Sequence, residues 1–254
     1  MKNRIDKLLV ELGLVASRER AQALILAGRV LVNEQKVEKA GTAVDVGARI
    51  RLLGEDLRYV SRAGLKLEAA LEHWQIDVRG LTCVDVGAST GGFTDCLLQH
   101  GAGRVIAIDT GYGQMDLKIR EDPRVRLREK TNARYLQAGD LGEPVDLIVI
   151  DVSFISATLV IPAVVEAAIQ NDTRDQARPK QMIVLVKPQF EVGREHVGKG
   201  GIVRDTEQQA SAVAKVRQAV EQSGFDTGSE IESPILGTEG NREFLLYGRR
   251  KQGN

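Results

Sequence analysis

The stretch VDVGASTGGFTD, residues 84 to 95, combines the end of an apolar strand with a glycine-rich turn and the start of a helix. Glycines such as Gly87, Gly91 and Gly92 allow a tight bend and a close approach of the backbone to a ligand at a helix N-terminus. From residue 81 onward, apolar runs alternate with helical patterns, which predicts a mostly parallel, doubly wound α/β sheet. Ligands of such sheets bind outside the carboxyl ends of the strands, so this turn is the expected ligand site.

The residues around the turn discriminate between nucleotide-like ligands. A dinucleotide fingerprint needs G-x-G-x-x-G, but this turn has Ser89 between Gly87 and Gly92, so the glycine that admits a pyrophosphate is missing. Asp85 is acidic where a pyrophosphate would lie, and a cationic amino group would be favoured there. Asp109 follows the next apolar run, about twenty residues beyond the turn, where a carboxylate binds ribose hydroxyls. Together these features predict S-adenosylmethionine as the cofactor, in preference to a nicotinamide dinucleotide.

Composition is that of a globular protein. The chain has 254 residues, of which 43% are hydrophobic and 28% charged, enough for one large or two smaller domains. Its apolar runs all fall short of the roughly 18 residues that span a bilayer, and the basic N-terminus leads into an amphipathic helix, which is not a signal peptide. Cys83 and Cys96 lack metal-ligand spacing. We therefore expect a cytoplasmic monomer without a metal site.

Residues 1–53 have a character of their own. They hold ten Lys/Arg against six Asp/Glu, a net charge of +4 in a chain whose total charge is zero. Two short helices, a Gly-Arg-Val turn and a hairpin follow one another, and this order closely resembles the S4 RNA-binding domain. The resemblance implies that Arg18, Arg20, Arg29 and Lys36 contact RNA phosphates and grooves.

The segment after the fourth predicted strand bears on which atom is methylated. DVSF, residues 151–154, keeps the aspartate of the [DN]PP[YF] stretch of base-amine methyltransferases but lacks its prolines. Methylation at carbon-5 of a pyrimidine needs a nucleophilic cysteine, whereas Cys83 and Cys96 lie in or beside the cofactor loop. A ribose 2′-hydroxyl needs a neighbouring group that deprotonates or orients it, and a lysine can serve if burial or another cation lowers its pKa. Lys187, directly after the apolar run MIVLV, is such a candidate.

Several motifs together resemble the TlyA family. They are YVSRAGLKLEAAL, VDVGASTGGFTD, VIDVSF, VLVKPQFE and GNREFLLY. Members of this family are rRNA 2′-O-methyltransferases that use S-adenosylmethionine and join an S4 domain to an FtsJ-like catalytic domain. The resemblance implies a catalytic tetrad of Lys66, Asp151, Lys187 and Glu243. Lys187 would accept or orient the 2′-hydroxyl proton, Asp151 would hold Lys187, and the other two residues would tune the electrostatics.

The chain divides at a polar stretch, GEDLRYVSR, residues 54–62, which breaks the pattern and is predicted to be a linker. It separates a small α+β RNA-binding domain at residues 1–53 from a Rossmann-like methyltransferase domain at 63–254. The residues expected to line the cofactor are Asp85, Gly87, Gly91, Gly92 and Asp109, with Asn132 reaching the adenine. The substrate would be a cytidine of ribosomal RNA within assembled ribosomal subunits. The chain begins and ends as the shorter form of the family does, which implies the large subunit.

Two other classes of protein remain as alternatives. The first is a non-catalytic rRNA-binding or assembly factor that retains the fold, and the complete tetrad disfavours it. The second is a membrane-active hemolysin, a name that TlyA-like proteins have carried. The sequence has neither a long apolar span nor a strongly amphipathic basic helix to support direct membrane action.

Overall fold

The chain forms two compact units, Met1–Leu57 and Arg58–Asn254. The computed structural model describes residues 2–15, 17–53, 58–169, 181–237 and 239–251. Of the predicted linker, residues 54–57 lie outside this described part, whereas residues 58–62 belong to the second unit. Residues 171–180, for which the sequence predicts a polar connection, also lie outside it.

The first unit is a small α+β domain. Its elements are β1 (Lys2–Arg4), α1 (Ile5–Glu11), α2 (Arg18–Leu26), β2 (Val30–Val32), β3 (Gln35–Lys36), β4 (Ala43–Asp45) and β5 (Ile50–Leu52). Strand β1 pairs with β4, and β2 lies between β3 and β5, all antiparallel. Apolar side chains of both helices and of β2 and β4 form its core.

Local sequence signals explain the limits of α2 and the hairpin that follows. Ser17 caps the helix, because its Oγ accepts a hydrogen bond of 3.2 Å from the backbone N–H of Arg20. Gly28 has a left-handed φ of 65° just beyond the last turn, as helix ends often require. Asn33 and Glu34 have φ values of 50° and 65°, which make the tight turn between β2 and β3. These predictions from the sequence are confirmed.

The second unit contains a larger α/β domain. Its helices and strands are α3 (Ala63–His73), β6 (Thr82–Val86), α4 (Gly92–Gln99), β7 (Arg104–Ile108), α5 (Leu117–Arg120), β8 (Val125–Arg128), β9 (Leu147–Ile150), α6 (Ile161–Ile169), β10 (Gln181–Val186), α7 (Pro188–Glu191), α8 (Thr206–Gln222), β11 (Phe225–Thr227), β12 (Ile231–Glu232) and β13 (Phe244–Arg250). Short 3₁₀ turns lie at Ala133–Tyr135, Ala157–Leu159 and Arg194–His196. No helix among these described segments is long and apolar enough to cross a bilayer.

These strands form one mixed sheet in the order β11-β13-β10-β9-β6-β7-β8, with β12 paired to β13. Strands β8, β7, β6, β9 and β10 are parallel, and β13 runs antiparallel to β10. Neighbouring residues of β6 enter opposite cores, because side chains alternate along a strand. Cys83 packs with α3 and α4, and Val84 packs with α6 and α8. The predicted doubly wound sheet is confirmed.

The topology brings particular chain positions to one edge of the sheet. The carboxyl ends of parallel β9 and β10 meet there, and Asp151 and Lys187 follow these strands directly. Because β13 is antiparallel, its amino end lies at the same edge, and Val186 pairs with Phe244. Lys187 and Glu243 are therefore neighbours across two adjacent strands.

Candidate active site

Lys187 lies at the end of β10 with only 9% of its surface exposed. Its Nζ is 2.5 Å from Asp151 Oδ1, an ion pair whose angle does not meet hydrogen-bond geometry. The same ammonium donates a hydrogen bond of 2.8 Å to Ser153 Oγ. Burying an ammonium costs several kcal/mol unless an opposite charge and hydrogen bonds offset the loss of water. These two partners explain how a lysine can end a strand whose last five residues are apolar and buried.

A second ion pair joins Lys66, in the first turns of α3, to Glu243, one residue before β13. Lys66 Nζ donates a hydrogen bond to Glu243 Oε2, and both side chains are buried. All members of the predicted tetrad line one cleft of about 270 Å³, which we call the acceptor cleft. The structure thus brings the predicted tetrad together, with each lysine paired to one carboxylate.

A second cleft of about 490 Å³, which we call the donor cleft, lies over the ends of β6, β7 and β9. Among its lining residues are the predicted Gly87, Asp109 and Asn132. The acidic residues of this lining are Asp109 and Asp151, and no lysine or arginine in the described part of the chain lines the donor cleft. Asp151 is already paired with Lys187, so Asp109 supplies the negative charge of this lining. A single carboxylate without a lysine or arginine beside it in the lining suits a cationic ligand that lacks phosphate, so the donor cleft fits S-adenosylmethionine better than a dinucleotide.

The two clefts meet, because both are lined by Gly87, Ser89, Asp151 and Ser153. A group presented by a ligand in the donor cleft can therefore reach a group held in the acceptor cleft. This junction lies beside the Lys187 ammonium, which is hydrogen-bonded to Ser153. The arrangement is suited to transfer between two separately bound molecules.

Asp109 holds the glycine-rich turn in place. Its Oδ2 accepts a hydrogen bond of 2.8 Å from the N–H of Ser89, and its Oδ1 accepts one of 2.6 Å from the N–H of Gly111. An ionised carboxylate has about four acceptor positions, so Asp109 retains capacity for hydroxyl donors in the donor cleft. The residue can thus shape the turn and bind a ribose at the same time.

Asp85 and Gly91 differ from the other residues predicted to line the cofactor, since neither lines the described surface of either cleft. Asp85 is completely buried, and its Oδ2 accepts a hydrogen bond of 2.6 Å from Thr94 Oγ1 of α4. Burial raises the pKa of Asp85 to about 7, a rise opposed by the Thr94 hydrogen bond and assisted by the negative charge of Asp151. Gly91 adopts φ 94° at the start of α4. Asp85 and Gly91 therefore lie behind the residues that line the clefts. Gly92, in contrast, lines the acceptor cleft.

The predicted RNA-binding residues all lie in the first unit. Arg18 and Arg20 are on α2, Arg29 follows that helix, and Lys36 is exposed on β3. Arg18 donates from Nε to Asp6, and Arg29 donates a hydrogen bond of 2.7 Å to the carbonyl of Leu53. These arginines are therefore held by neighbouring groups of the same unit.

Two residues of the site had no clear signal in the sequence. Ser153 is recognised as part of the site only from its hydrogen bond with Lys187 in the structure. Phe154 is 93% exposed, has a left-handed φ of 65° and lies with its ring centroid 5.4 Å from that of Phe190. An exposed phenyl ring in a sparsely populated backbone conformation is a common feature of functional sites. Its position in the DVSF stretch, beside the donor cleft, was the available hint.

Comparisons with known proteins agree with this geometry. The family model for FtsJ-like methyltransferases matches residues 59–250, and the S4 domain model matches residues 3–50. The chain is 43% identical over 245 residues to the 16S/23S rRNA (cytidine-2′-O)-methyltransferase TlyA of Mycobacterium tuberculosis, covering 96% of this chain and 88% of that protein. It is 38% identical to Hemolysin A of Brachyspira hyodysenteriae, covering 96% of this chain and 98% of that protein.

A solved structure gives the same result at the level of the fold. A hemolysin candidate from Streptococcus thermophilus superposes with a TM-score of 0.73 at 42% identity, covering 99% of this chain and 90% of that chain. Identity of this size over nearly the whole length goes beyond a shared fold. The chain therefore belongs to the FtsJ-like methyltransferases and, within them, to the TlyA family.

Proposed function

We propose that this protein methylates the ribose 2′-hydroxyl of a cytidine in ribosomal RNA, with S-adenosylmethionine as the methyl donor. The observation that carries the proposal is the junction of the two clefts at the Lys187–Asp151 pair. The rRNA (cytidine-2′-O)-methyltransferase named among the relatives supports the choice of substrate. Ribosomal subunits are cytoplasmic, so we expect the enzyme to act there, as a monomer.

The tetrad residues can each be given a role in the acceptor cleft. Residues of the donor cleft such as Asp109 and Asn132 would hold S-adenosylmethionine, which would supply an electrophilic methyl group. Lys187 orients the 2′-hydroxyl oxygen through its ammonium or, as the neutral amine, takes up the hydroxyl proton, and Asp151 keeps the Lys187 side chain directed into the cleft. The Lys66–Glu243 pair fixes the wall of the cleft beside them without adding net charge.

The cysteines argue against methylation at carbon-5 of a pyrimidine. That chemistry needs a thiolate that can reach the base. Cys83 and Cys96, which are all the cysteines of the chain, are completely buried. Burial raises the pKa of the Cys96 thiol to about 12 and that of the Cys83 thiol further, so both stay protonated and unreactive. A hydroxyl acceptor is consistent with this chemistry.

We propose that the first unit docks the ribosomal RNA through Arg18, Arg20, Arg29 and Lys36. Support comes from the S4 domain match and from the net charge of +4 over residues 1–53. Cationic side chains that contact phosphates give affinity that falls with salt and does not depend on sequence. Choice of the nucleotide would then rest mainly with the catalytic domain.

The decisive experiment uses purified protein, labelled S-adenosylmethionine and each ribosomal subunit lacking the modification. We expect label in ribosomal RNA at a phosphodiester that resists alkaline cleavage, because a methylated 2′-oxygen cannot attack its neighbouring phosphate. Testing the subunits separately also decides which subunit carries the substrate. Label on a base, or tight RNA binding without any transfer, would contradict the proposal.

Cofactor binding provides a separate prediction. Asp109→Ala is expected to weaken S-adenosylmethionine binding by about 1.5 to 3 kcal/mol, because charge-assisted hydrogen bonds to the ribose are lost. The measurement is isothermal titration calorimetry on protein shown to be folded. Asp226→Ala, which removes an exposed carboxylate of β11 outside both clefts, is the matched control and should leave the affinity unchanged. Equal affinities for the two variants would remove Asp109 from the cofactor site.

A further inference from the structure

The first unit contains a carboxylate that is surrounded by hydrogen-bond donors. Asp6, in the first turn of α1, has 0% of its surface exposed. Its Oδ1 accepts hydrogen bonds of 3.0 Å from Arg4 Nε and from the N–H of Lys7. Its Oδ2 accepts from Arg4 Nη2 at 2.9 Å, Arg18 Nε at 2.9 Å and Gln22 Nε2 at 3.3 Å.

The two arginines reach this carboxylate from different elements. Arg4 ends β1 and binds Asp6 as a two-pronged fork, which fixes the plane of its guanidinium. Arg18 begins α2 and gives Asp6 only its Nε, so its terminal amino groups can bind other acceptors. The side chains of Arg4 and Arg18 are 47% and 44% exposed. Asp6 therefore holds, from inside the unit, two cations that remain at its surface.

A purely stabilising role would not require a carboxylate at position 6. A buried ion pair can often be replaced by apolar residues of similar volume with no loss of stability. Ile5, Leu8 and Leu9 already give α1 an apolar face, and an apolar residue at position 6 would extend it. The hydrogen bonds from Arg4 hold the pKa of Asp6 well below its usual range, so the residue is ionised throughout the neutral range.

We propose that Asp6 is a positioning residue for RNA recognition, which holds Arg4 and Arg18 as a preformed pair of phosphate-binding groups. Arginine side chains that are already held in one rotamer lose less conformational entropy when the RNA binds. This strengthens RNA binding without adding a contact. The inference rests on the proposed rRNA substrate, and it adds Arg4 to the RNA-binding residues expected from the sequence. Asp6 itself touches no RNA in this arrangement.

Simple electrostatics gives the opposite expectation, which makes the proposal testable. Asp6→Asn removes one negative charge, raising the net charge of residues 1–53 from +4 to +5, and a higher positive charge should strengthen binding to a polyanion. If Asp6 positions the two arginines, the variant should bind RNA more weakly. The NH₂ group of Asn is a donor, so it cannot accept hydrogen bonds from Arg4 and Arg18 as the second carboxylate oxygen does. The sign of the change therefore separates the two explanations.

The experiment measures the affinity of the full-length protein for unmodified ribosomal subunits over a series of salt concentrations. We expect Asp6→Asn to bind roughly tenfold more weakly, with a salt slope lower by about one unit as ordered phosphate contacts are lost. Glu38→Gln removes the same charge from an exposed position of the same unit and should bind as wild type or slightly more tightly. Asp6→Asn binding as tightly as Glu38→Gln would overturn the proposal.

A second variant decides the matter even if Asp6→Asn does not fold. Arg18→Lys keeps the charge of a half-exposed side chain but removes the Nε donor and the planar fork. Positioning predicts a roughly three- to tenfold loss of RNA affinity for Arg18→Lys, and a wild-type affinity would overturn it. Cofactor affinity should be unchanged in every variant. Methyl transfer by the wild type on the same subunits tests the proposed function separately, so the two ideas can fail independently.

Discussion

Replacing Lys187 by alanine is expected to lower methyl transfer by at least roughly 10²-fold, the usual contribution of an acid, base or orienting group. Cofactor and RNA binding should stay close to normal, because the Lys187 ammonium is committed to Asp151 and Ser153 and leaves most of both clefts intact. The measurement is single-turnover methylation of ribosomal subunits at saturating cofactor. In this variant the rate of methyl transfer should fall while the affinities for cofactor and RNA stay close to those of the wild type.

Two further variants sharpen this test. Lys187→Arg should not restore activity, because a guanidinium keeps its proton near neutral pH and its planar fork does not fit the place of a compact ammonium. Lys251→Ala removes a half-exposed lysine just after β13, outside both clefts, and should transfer methyl groups at the wild-type rate. A near-wild-type rate for Lys187→Ala would exclude the proposed mechanism even if the protein proved to be a methyltransferase.

The arrangement of the large sheet could be predicted because it follows from local signals. Apolar runs alternate with helical patterns, and the rule that ligands bind at carboxyl ends of parallel strands then places Gly87, Asp109, Asp151 and Lys187 at one edge. The structure has all of these residues at the lining of the clefts. The limits of helix α2 could also be predicted from the sequence, because Ser17 and the glycine beyond its end are local signals.

Other features depend on partners that are distant in the sequence. Glu243 binds Lys66 across 177 positions, and this pair forms only because β13 returns antiparallel beside β10. Asp6 lies within the amphipathic pattern of α1, where a charged residue indicates solvent exposure, yet Arg4 and Arg18 converge on it and bury it. Sequence patterns do not predict contacts between such distant residues. The resemblance therefore named Lys66 and Glu243 without pairing them, and the structure was needed for both ion pairs.

Asp85 stays a predicted cofactor residue, although the structure shows it buried and hydrogen-bonded to Thr94. The motif places it beside the cofactor turn, but side chains alternate along a strand, and residue 85 faces the side of the sheet covered by α4. There it meets Thr94 and does not line either cleft within the described chain. Strands β1, β4 and β5 of the first unit were missed for a related reason, since three residues are too few to show alternation.

Gly87→Ala is expected to destabilise the second unit by about 2 to 5 kcal/mol and to prevent cofactor binding, combining left-handed strain with overpacking. Gly87 has a φ of 87°, which costs any residue that carries a Cβ. A Cβ there would also lie 2.4 Å from the carbonyl oxygen of Asp151 and 3.2 Å from Cα of Val152. These are backbone atoms that no rotamer change can move, so relief would displace Asp151 from Lys187. Chemical denaturation and calorimetry with S-adenosylmethionine measure both effects.

Gly80→Ala is the control that separates the cost of a positive φ from the cost of the steric clash with Asp151. Gly80 has a similar φ of 70°, but a Cβ added there would meet no heavy atom within 4 Å, and the residue lines neither cleft in the described chain. It should therefore show only the strain, about 1 to 2 kcal/mol, with normal cofactor affinity and normal methyl transfer. Because both positions have a positive φ of similar size, we attribute any excess loss at Gly87 to the contact between the glycine-rich turn and the segment that carries Asp151. Equal destabilisation of the two variants, with cofactor affinity intact in both, would mean that this contact does not hold the Asp151 carboxylate in place.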